Sequence, residues 1–176
     1  MNPNTSILEQ LQIVPGFPPA ALTTARTGDV VCLKGYRRCL VLFHAAIGLA
    51  GEDPTITLLQ GTDVAFGTNK ALDFSTIYVK MDATKLTDVG QWTKVTRTVT
   101  PGSTNTYTDA TSGEQEKMWA IEFKAEDLDI ANNYDCIRAS LGDTGSTASQ
   151  VGVIFYLLGD PVNSEAPENM LSAIVD

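Results

Sequence analysis

Between Val30 and Leu158 the chain alternates short β-branched or aromatic runs with knots of Gly, Thr, Asn and Asp, and no segment holds a helical period beyond a few turns. Strands punctuated by turn residues at this spacing confine the chain to an all-β fold. Trp119, Ile121 and Phe123 alternate with Ala120 and Glu122, and Ile137, Ala139 and Leu141 alternate with Arg138 and Ser140. That period of two places one face in the core and the other in water. The runs Arg38 to Ala46 and Val151 to Leu158 are instead apolar on both faces. Such antiparallel strands need cover on two sides, from a second layer or from another subunit. The predicted architecture is an antiparallel β-sandwich, jelly-roll-like, over residues 30–158, with an extended N-terminal arm over 1–29 and a C-terminal tail over 159–176.

The arm is predicted from proline. Pro3, Pro15, Pro18 and Pro19, half of the chain's eight, fall in the first 29 residues, where they forbid a central strand and favour an extended path. Ser6-Ile7-Leu8-Glu9 has the Ser-x-x-Glu form of a capping box, which allows a helical turn or two before Pro15. Gly159-Asp160-Pro161 ends the last strand, and the tail closes on Met170-Leu171-Ser172-Ala173-Ile174-Val175. Chain ends fray unless held, so an apolar tail implies something that holds it. Trp92 to Val99, followed by Pro101-Gly102-Ser103 and Tyr107, reads as a long ribbon projecting from the sandwich.

Charge and cysteine usage narrow the function classes. At 176 residues and 43% hydrophobic content the chain makes one domain with a core that needs neither disulfide nor metal. A net charge of −9 with scattered Lys and Arg is unsuited to tracking phosphates, so nucleic acid is not an expected partner. Cys32, Cys39 and Cys136 each lie in apolar runs and are expected to be buried and reduced. No closely spaced ligand pairs mark a zinc site, and no cofactor is expected. Neither a basic leader nor a run of roughly 20 apolar residues is present, which points to folding in a reducing cytoplasm and no membrane partner.

Catalytic motifs are thin. Asp143-Thr144-Gly145-Ser146 matches the Asp-Thr-Gly string of aspartic proteases, whose chemistry needs two carboxylates sharing a proton. Here the string follows Leu141-Gly142 and precedes Ser146-Thr147-Ala148-Ser149, the composition of a polar turn. A calcium loop begun at Asp127 would require Gly and Glu where Asn132 and Arg138 stand, leaving only a looser site among Glu126, Asp127, Asp129, Asp135, Asn132 and Asn133. The single histidine, His44, is five residues from Cys39, so on a strand the two point to opposite faces. Gly61 and Gly67 flank Thr62 to Phe66 without a following Gly-Lys-Ser/Thr, so no phosphate loop forms. Trp92, Tyr107 and Trp119 offer aromatic surface for a sugar or base platform, although core packing or subunit contact is the commoner use of such rings. No catalytic residue is assigned, and the chain reads as a non-enzyme.

The series Val31-Cys32-Leu33-Lys34-Gly35-Tyr36, Thr55 to Ala65, Asn69 to Phe74, Gly152 to Leu158 and Ser172 to Asp176 resembles a family of small virion proteins of tailed bacteriophages, typically encoded beside the major capsid protein. The resemblance spans most of the chain and rests on structural motifs. It implies a head decoration, or cement, protein: a homotrimeric β-sandwich seated on the outer surface of the capsid, with the major capsid protein and its own copies as partners. Arms that order on a partner bury large area, and many surrounding copies offset the entropy of ordering them. The residues expected to make these contacts are Ile7, Leu8, Leu11 and Phe17 in the arm, Trp92 and Tyr107 on the ribbon, and Met170, Leu171 and Ile174 in the tail. The alternatives are a tail- or neck-associated virion protein or a sandwich that holds a host glycan on its aromatics, and a head-maturation protease dependent on Asp143.

Overall fold

The computed structural model describes residues 6–145, 150–163 and 165–175. One helical turn, α1 (Ile7–Gln10), precedes eleven strands: β1 (Leu11–Ala21), β2 (Arg26–Cys32), β3 (Tyr36–Ala45), β4 (Thr55–Gly61), β5 (Asn69–Ala71), β6 (Thr76–Asp82), β7 (Thr93–Thr96), β8 (Thr106–Thr108), β9 (Glu116–Lys124), β10 (Cys136–Leu141) and β11 (Val151–Pro161). They form two antiparallel sheets. The larger has the order β1-β11-β3-β9-β6-β7; the smaller runs β2-β10-β4-β5, with β8 occupying the part of β4 that β5 leaves open.

That order is a jelly roll. β1, β11, β3 and β9 form one four-stranded layer and β2, β10, β4 and β5 the other, and the chain changes layer at each step from β1 to β5 except between β4 and β5, and again from β9 to β11. The first strand therefore lies beside the last and the second beside the next to last. The β6–β7 hairpin is inserted before β9 and widens the first layer.

Between the sheets the alternating residues meet as predicted. Trp119, Ile121 and Phe123 of β9 and Ile137, Ala139 and Leu141 of β10 are all buried, against Phe43, Val41 and Cys39 of β3 and Ile56 and Leu58 of β4. Trp119 is the largest fully buried side chain, with the Phe43 ring 5.0 Å away and the Tyr107 ring at 4.9 Å and near perpendicular. Edge-to-face contacts of this kind add to area burial.

Three expectations are corrected. Of the predicted arm over 1–29, residues 11–21 are an edge strand of the larger sheet, paired with β11 from Leu11↔Gly159 to Ala21↔Val151, and residues 26–32 are an edge strand of the smaller one. Proline was still informative: Pro15, Pro18 and Pro19 sit on an edge, at or beside two register shifts, where a missing N–H costs no ladder bond. Ser6 precedes α1 without a side-chain cap; its carbonyl instead accepts the Glu9 N–H at 3.2 Å.

The projecting ribbon is also not one. β7 pairs with β6, and the following loop is folded down by Arg97, whose guanidinium donates to the carbonyls of Phe74 (3.1 Å), Thr104 (2.9 Å) and Thr106 while lying over the Phe74 ring. Asp73 closes the same loop by accepting the N–H groups of Gly102 (2.6 Å) and Thr104 (2.8 Å). Finally, the tail is held by its own chain. The Leu171 carbonyl accepts the Tyr36 hydroxyl at 2.7 Å, the Ala173 carbonyl accepts the Cys32 N–H at 2.6 Å, and Ala173 is buried.

Tyr156 and Lys117 each carry a polar group into the interior. The Tyr156 hydroxyl donates to the Asp29 carbonyl and accepts the Ala139 N–H, each at 2.8 Å, so a side chain of β11 joins β2 and β10 across the sandwich. Register between β2 and β10 shifts at this point, and a Cβ on Gly28 would lie 2.4 Å from the Ala139 carbonyl. The bulge withdraws a ladder partner and the phenol replaces it. Tyr156→Phe is expected to cost about 1–3 kcal/mol by leaving a buried N–H and C=O without that partner, measured by urea denaturation.

Lys117, opposite Ala45 and Met81, is fully buried, and its Nζ has no hydrogen-bond partner among the described residues. Burial lowers its ammonium from 10.5 to about 8, against the opposing pull of Asp53. A lowered lysine value means that the folded state resists the proton. The penalty is complete below pH 8, shrinks between pH 8 and 10.5, and is absent above. Lys117→Met should therefore raise stability by about 1–3 kcal/mol at pH 7, and the gain over the parent should disappear as denaturation is repeated toward pH 10.5.

Candidate partner-binding face

The two runs that read as apolar on both sides are β3 and β11, and they lie side by side in the larger sheet. Their inward residues fill the core. Their outward residues are Leu40 and Leu42 on β3 and Val153, Phe155 and Leu157 on β11, in the register Leu40↔Leu157, Leu42↔Phe155 and His44↔Val153. β1 adds Ile13 opposite Leu157 and Pro15 opposite Phe155. On the other side β9 adds Ala120 opposite Leu42 and Met118 opposite His44, and β6 adds Tyr78 opposite Ala120. An apolar surface thus crosses five adjacent strands, about 19 Å at the usual strand spacing.

Among the described residues its centre stays partly open, although Val153 (8% exposed) and Ala120 (5%) are buried at their places on it. Ile13 is 51% exposed and Tyr78 37%, and Leu40, Leu42, Phe155, Leu157 and Met118 are half-buried by their neighbours alone. Contiguous apolar surface of this kind marks a contact site. Charge rims it. At one end Arg38 pairs with Asp160 (2.8 Å) and Glu122 (3.5 Å); at the other, His44 Nε2 lies 3.1 Å from Glu116. The Leu86 N–H, against the opposing effect of burial, and then His44 hold the Glu116 carboxyl below its ordinary value. A shallow depression lined by Gln10, Leu11, Leu40, Leu157, Gly159 and Asp160 carries the surface to the pole of the sandwich.

At that pole the start of β1 and the tail meet. The Tyr36 hydroxyl lies between Gln12 Oε1 and the Leu171 carbonyl, the Leu171 side chain packs on Gly35, and the Val162 N–H bonds the Gly35 carbonyl. Of the residues expected to contact partners, Ile7, Leu8 and Leu171 are exposed here, and Ile174 is exposed one residue past the tail's last strand bond. Leu11 is half-buried in the depression at this pole, and Met170 packs partly against the core. Phe17 and Tyr107 are core residues, each 7% exposed, which removes both from the contact set. Trp92 is exposed with the Lys80 ammonium 5.1 Å from its ring; Tyr107 and Trp119 are buried, so the three rings form no platform.

The sequence reading missed Ile13, Leu40, Leu42, Phe155 and Leu157 as surface. The signal was present in the doubly apolar runs, without a means of telling which face lay inward.

The chemical motifs resolve into local structure. The Asp143 carboxylate accepts the Gly145 N–H at 2.8 Å, and the Thr144 hydroxyl donates to the Leu22 carbonyl at 2.9 Å, which makes the Asp-Thr-Gly string a turn. Ser146 to Ser149 lie outside the described residues. The acidic group is dispersed: Asp127 accepts the Lys124 N–H, Glu126 pairs with Lys124, Asp129 bonds Lys70 and Asn132, and Asp135 pairs with Lys34 at 3.6 Å. Cys39 faces the core and His44 the outer surface, as the strand spacing predicted. Among the described residues, one group of three could offer metal-ligating atoms, Cys32, Asp135 and Cys136, all within 4.8 Å of one another. Three atoms are one short of a closed tetrahedral set. No described helix is long and apolar enough to cross a membrane.

Fold and surface together define a jelly-roll sandwich with an uncovered apolar sheet face. No family model, characterised protein or solved structure matches the chain.

If this face is the contact site, a charge at its centre should abolish association without unfolding the chain. Leu42→Glu and Leu157→Glu are each expected to yield monomers in analytical ultracentrifugation at concentrations where the parent associates, with the parent's circular dichroism retained.

Proposed function

We propose that this chain is a bacteriophage capsid decoration protein, a cement that binds the outside of the major capsid lattice and stabilises the head. The observation that carries the reading is the uncovered apolar face of the larger sheet, continuous with the pole where both chain ends expose apolar residues. The resemblance in sequence to small phage virion proteins supplies the setting. In this reading copies associate through the sheet face, as homotrimers, and the pole with Ile7, Leu8 and Leu171 engages the major capsid protein.

Jelly rolls serve capsids, lectins and small-molecule enzymes alike, so the fold by itself does not choose among them. Other features agree with the choice made here. The negative charge suits an outer, solvent-facing position more than a surface against packaged DNA. The glycan-binding alternative loses its motivation with the burial of Tyr107 and Trp119.

The arm mechanism needs revision. Removal of residues 1–29 would take away β1 and most of β2 and with them an edge of each sheet. The separable piece ends at Gln10. Deletion of residues 1–10 should leave the sandwich folded and weaken capsid binding, read by co-sedimentation with heads that lack the protein. Quantitative mass spectrometry of intact particles should return hundreds of copies per virion. A handful confined to neck or tail would overturn the assignment.

A further inference from the structure

Cys32 ends β2 and Cys136 begins β10, and the antiparallel register sets them directly opposite each other. Opposed residues in such a ladder alternate between a wide, hydrogen-bonded pair and a narrow one whose N–H groups point away. Here the Leu33 N–H bonds the Asp135 carbonyl at 2.8 Å, one step outside the pair, and the Cys32 N–H turns away to Ala173. The cysteines thus occupy a narrow site. Its Cα separation, about 4.5 Å, falls inside the window of about 4.4–6.8 Å that a disulfide requires.

We propose that Cys32 and Cys136 are a disulfide-forming pair, reduced in a thiol-rich cytoplasm and closed by a low-molecular-weight disulfide once the protein leaves it. The pair lies on the outer side of the smaller sheet, beneath the Phe66 ring and among Val30, Leu59 and Val64, apart from the main core. The tail runs along the edge of β2 beside the pair, where the Ala173 carbonyl takes the Cys32 N–H. The third cysteine, Cys39, is sealed in the main core and has no cysteine opposite it: its ladder partners are Leu158 and Phe123.

The chemistry is asymmetric in a useful way. The Cys136 thiol in hydrogen-bond contact lowers Cys32 to about 7, against the effect of burial, so Cys32 is the more available thiolate, whereas Cys136 is pushed up by Cys32 and by burial. The Cys32 thiolate attacks one sulfur of the reagent disulfide RSSR and expels RS⁻. Cys136 then loses its proton, with the Asp135 carboxylate 3.3 Å from its sulfur as first acceptor, attacks the Cys32 sulfur and expels the second RS⁻. Protons restore both leaving groups. The protein is oxidised by two electrons, RSSR is reduced to two RSH, and one S–S bond forms in the protein as one breaks in the reagent.

Full-length protein equilibrated with oxidised glutathione, in the presence of a chelator that removes bound metal, tests the proposal. The expected product is an unmodified monomer lighter by two hydrogens, with Cys32 and Cys136 in one disulfide-linked peptide pair and Cys39 alkylated only after denaturation. Its urea midpoint should rise relative to the reduced form. Cys39→Ser should behave as the parent, and Cys32→Ser should stop at no internal bond. Three thiols persisting at equilibrium, a stable glutathione adduct, or a disulfide between two chains would overturn it.

Discussion

The Tyr156 phenol is the point on which the two layers agree about their alignment. Apolar faces pack well over a range of small slides, because dispersion and area burial are indifferent to direction. Hydrogen bonds are not. Tyr156 rises from the middle of the larger sheet to meet the Asp29 carbonyl and the Ala139 N–H on two strands of the smaller. It reaches them because β2 bulges at Gly28, where a side chain would collide with the β10 backbone. Bulge, glycine and phenol are one device: the bulge leaves groups unsatisfied, the glycine permits the approach, and the phenol makes sliding costly.

A second phenol does the same for the chain ends. Tyr36 begins β3 and reaches both Gln12 at the start of β1 and Leu171 in the tail. Since the jelly roll places the first strand beside the last, the start of β1 and the tail at Leu171 arrive at one pole, and Tyr36 joins them there. The exposed Ile7, Leu8 and Leu171 are consequently presented by a fixed scaffold, which lowers the ordering cost of any contact they make.

Much of the architecture was legible in the sequence because strand faces are written with a period of two. β9 and β10 show it plainly, since each has one wet side. The prolines correctly barred β1 from a sheet centre, yet they could not reveal an edge strand, because its partner begins at Val151, well over a hundred residues away. The ribbon was misjudged for a similar reason. Thr and Lys on β7 look solvent-bound, and only the carbonyls gathered by Arg97 and the N–H groups gathered by Asp73 fold that loop back. Long-range polar closure leaves no local pattern to read. The contact face lay between these cases: doubly apolar β3 and β11 announced a need for cover, while the identity of the buried face emerged only from their shared register.

The two outer faces of the sandwich received opposite treatment. On the smaller sheet the outward residues are largely Thr55, Thr57, Ser140 and Arg138, and the one apolar group, at Cys32 and Cys136, is roofed by Phe66 and flanked by the tail. Gly61 has no side chain because the Phe66 ring occupies its space. On the larger sheet Leu40, Leu42, Phe155 and Leu157 are left only half-buried by the described residues. A fold that covers one small apolar group with its own loop and leaves a far larger one bare is not short of covering material. Exposed apolar surface on that scale is uncommon on a chain that stays single, and this is what makes the outer face of the larger sheet the basis of the proposal above.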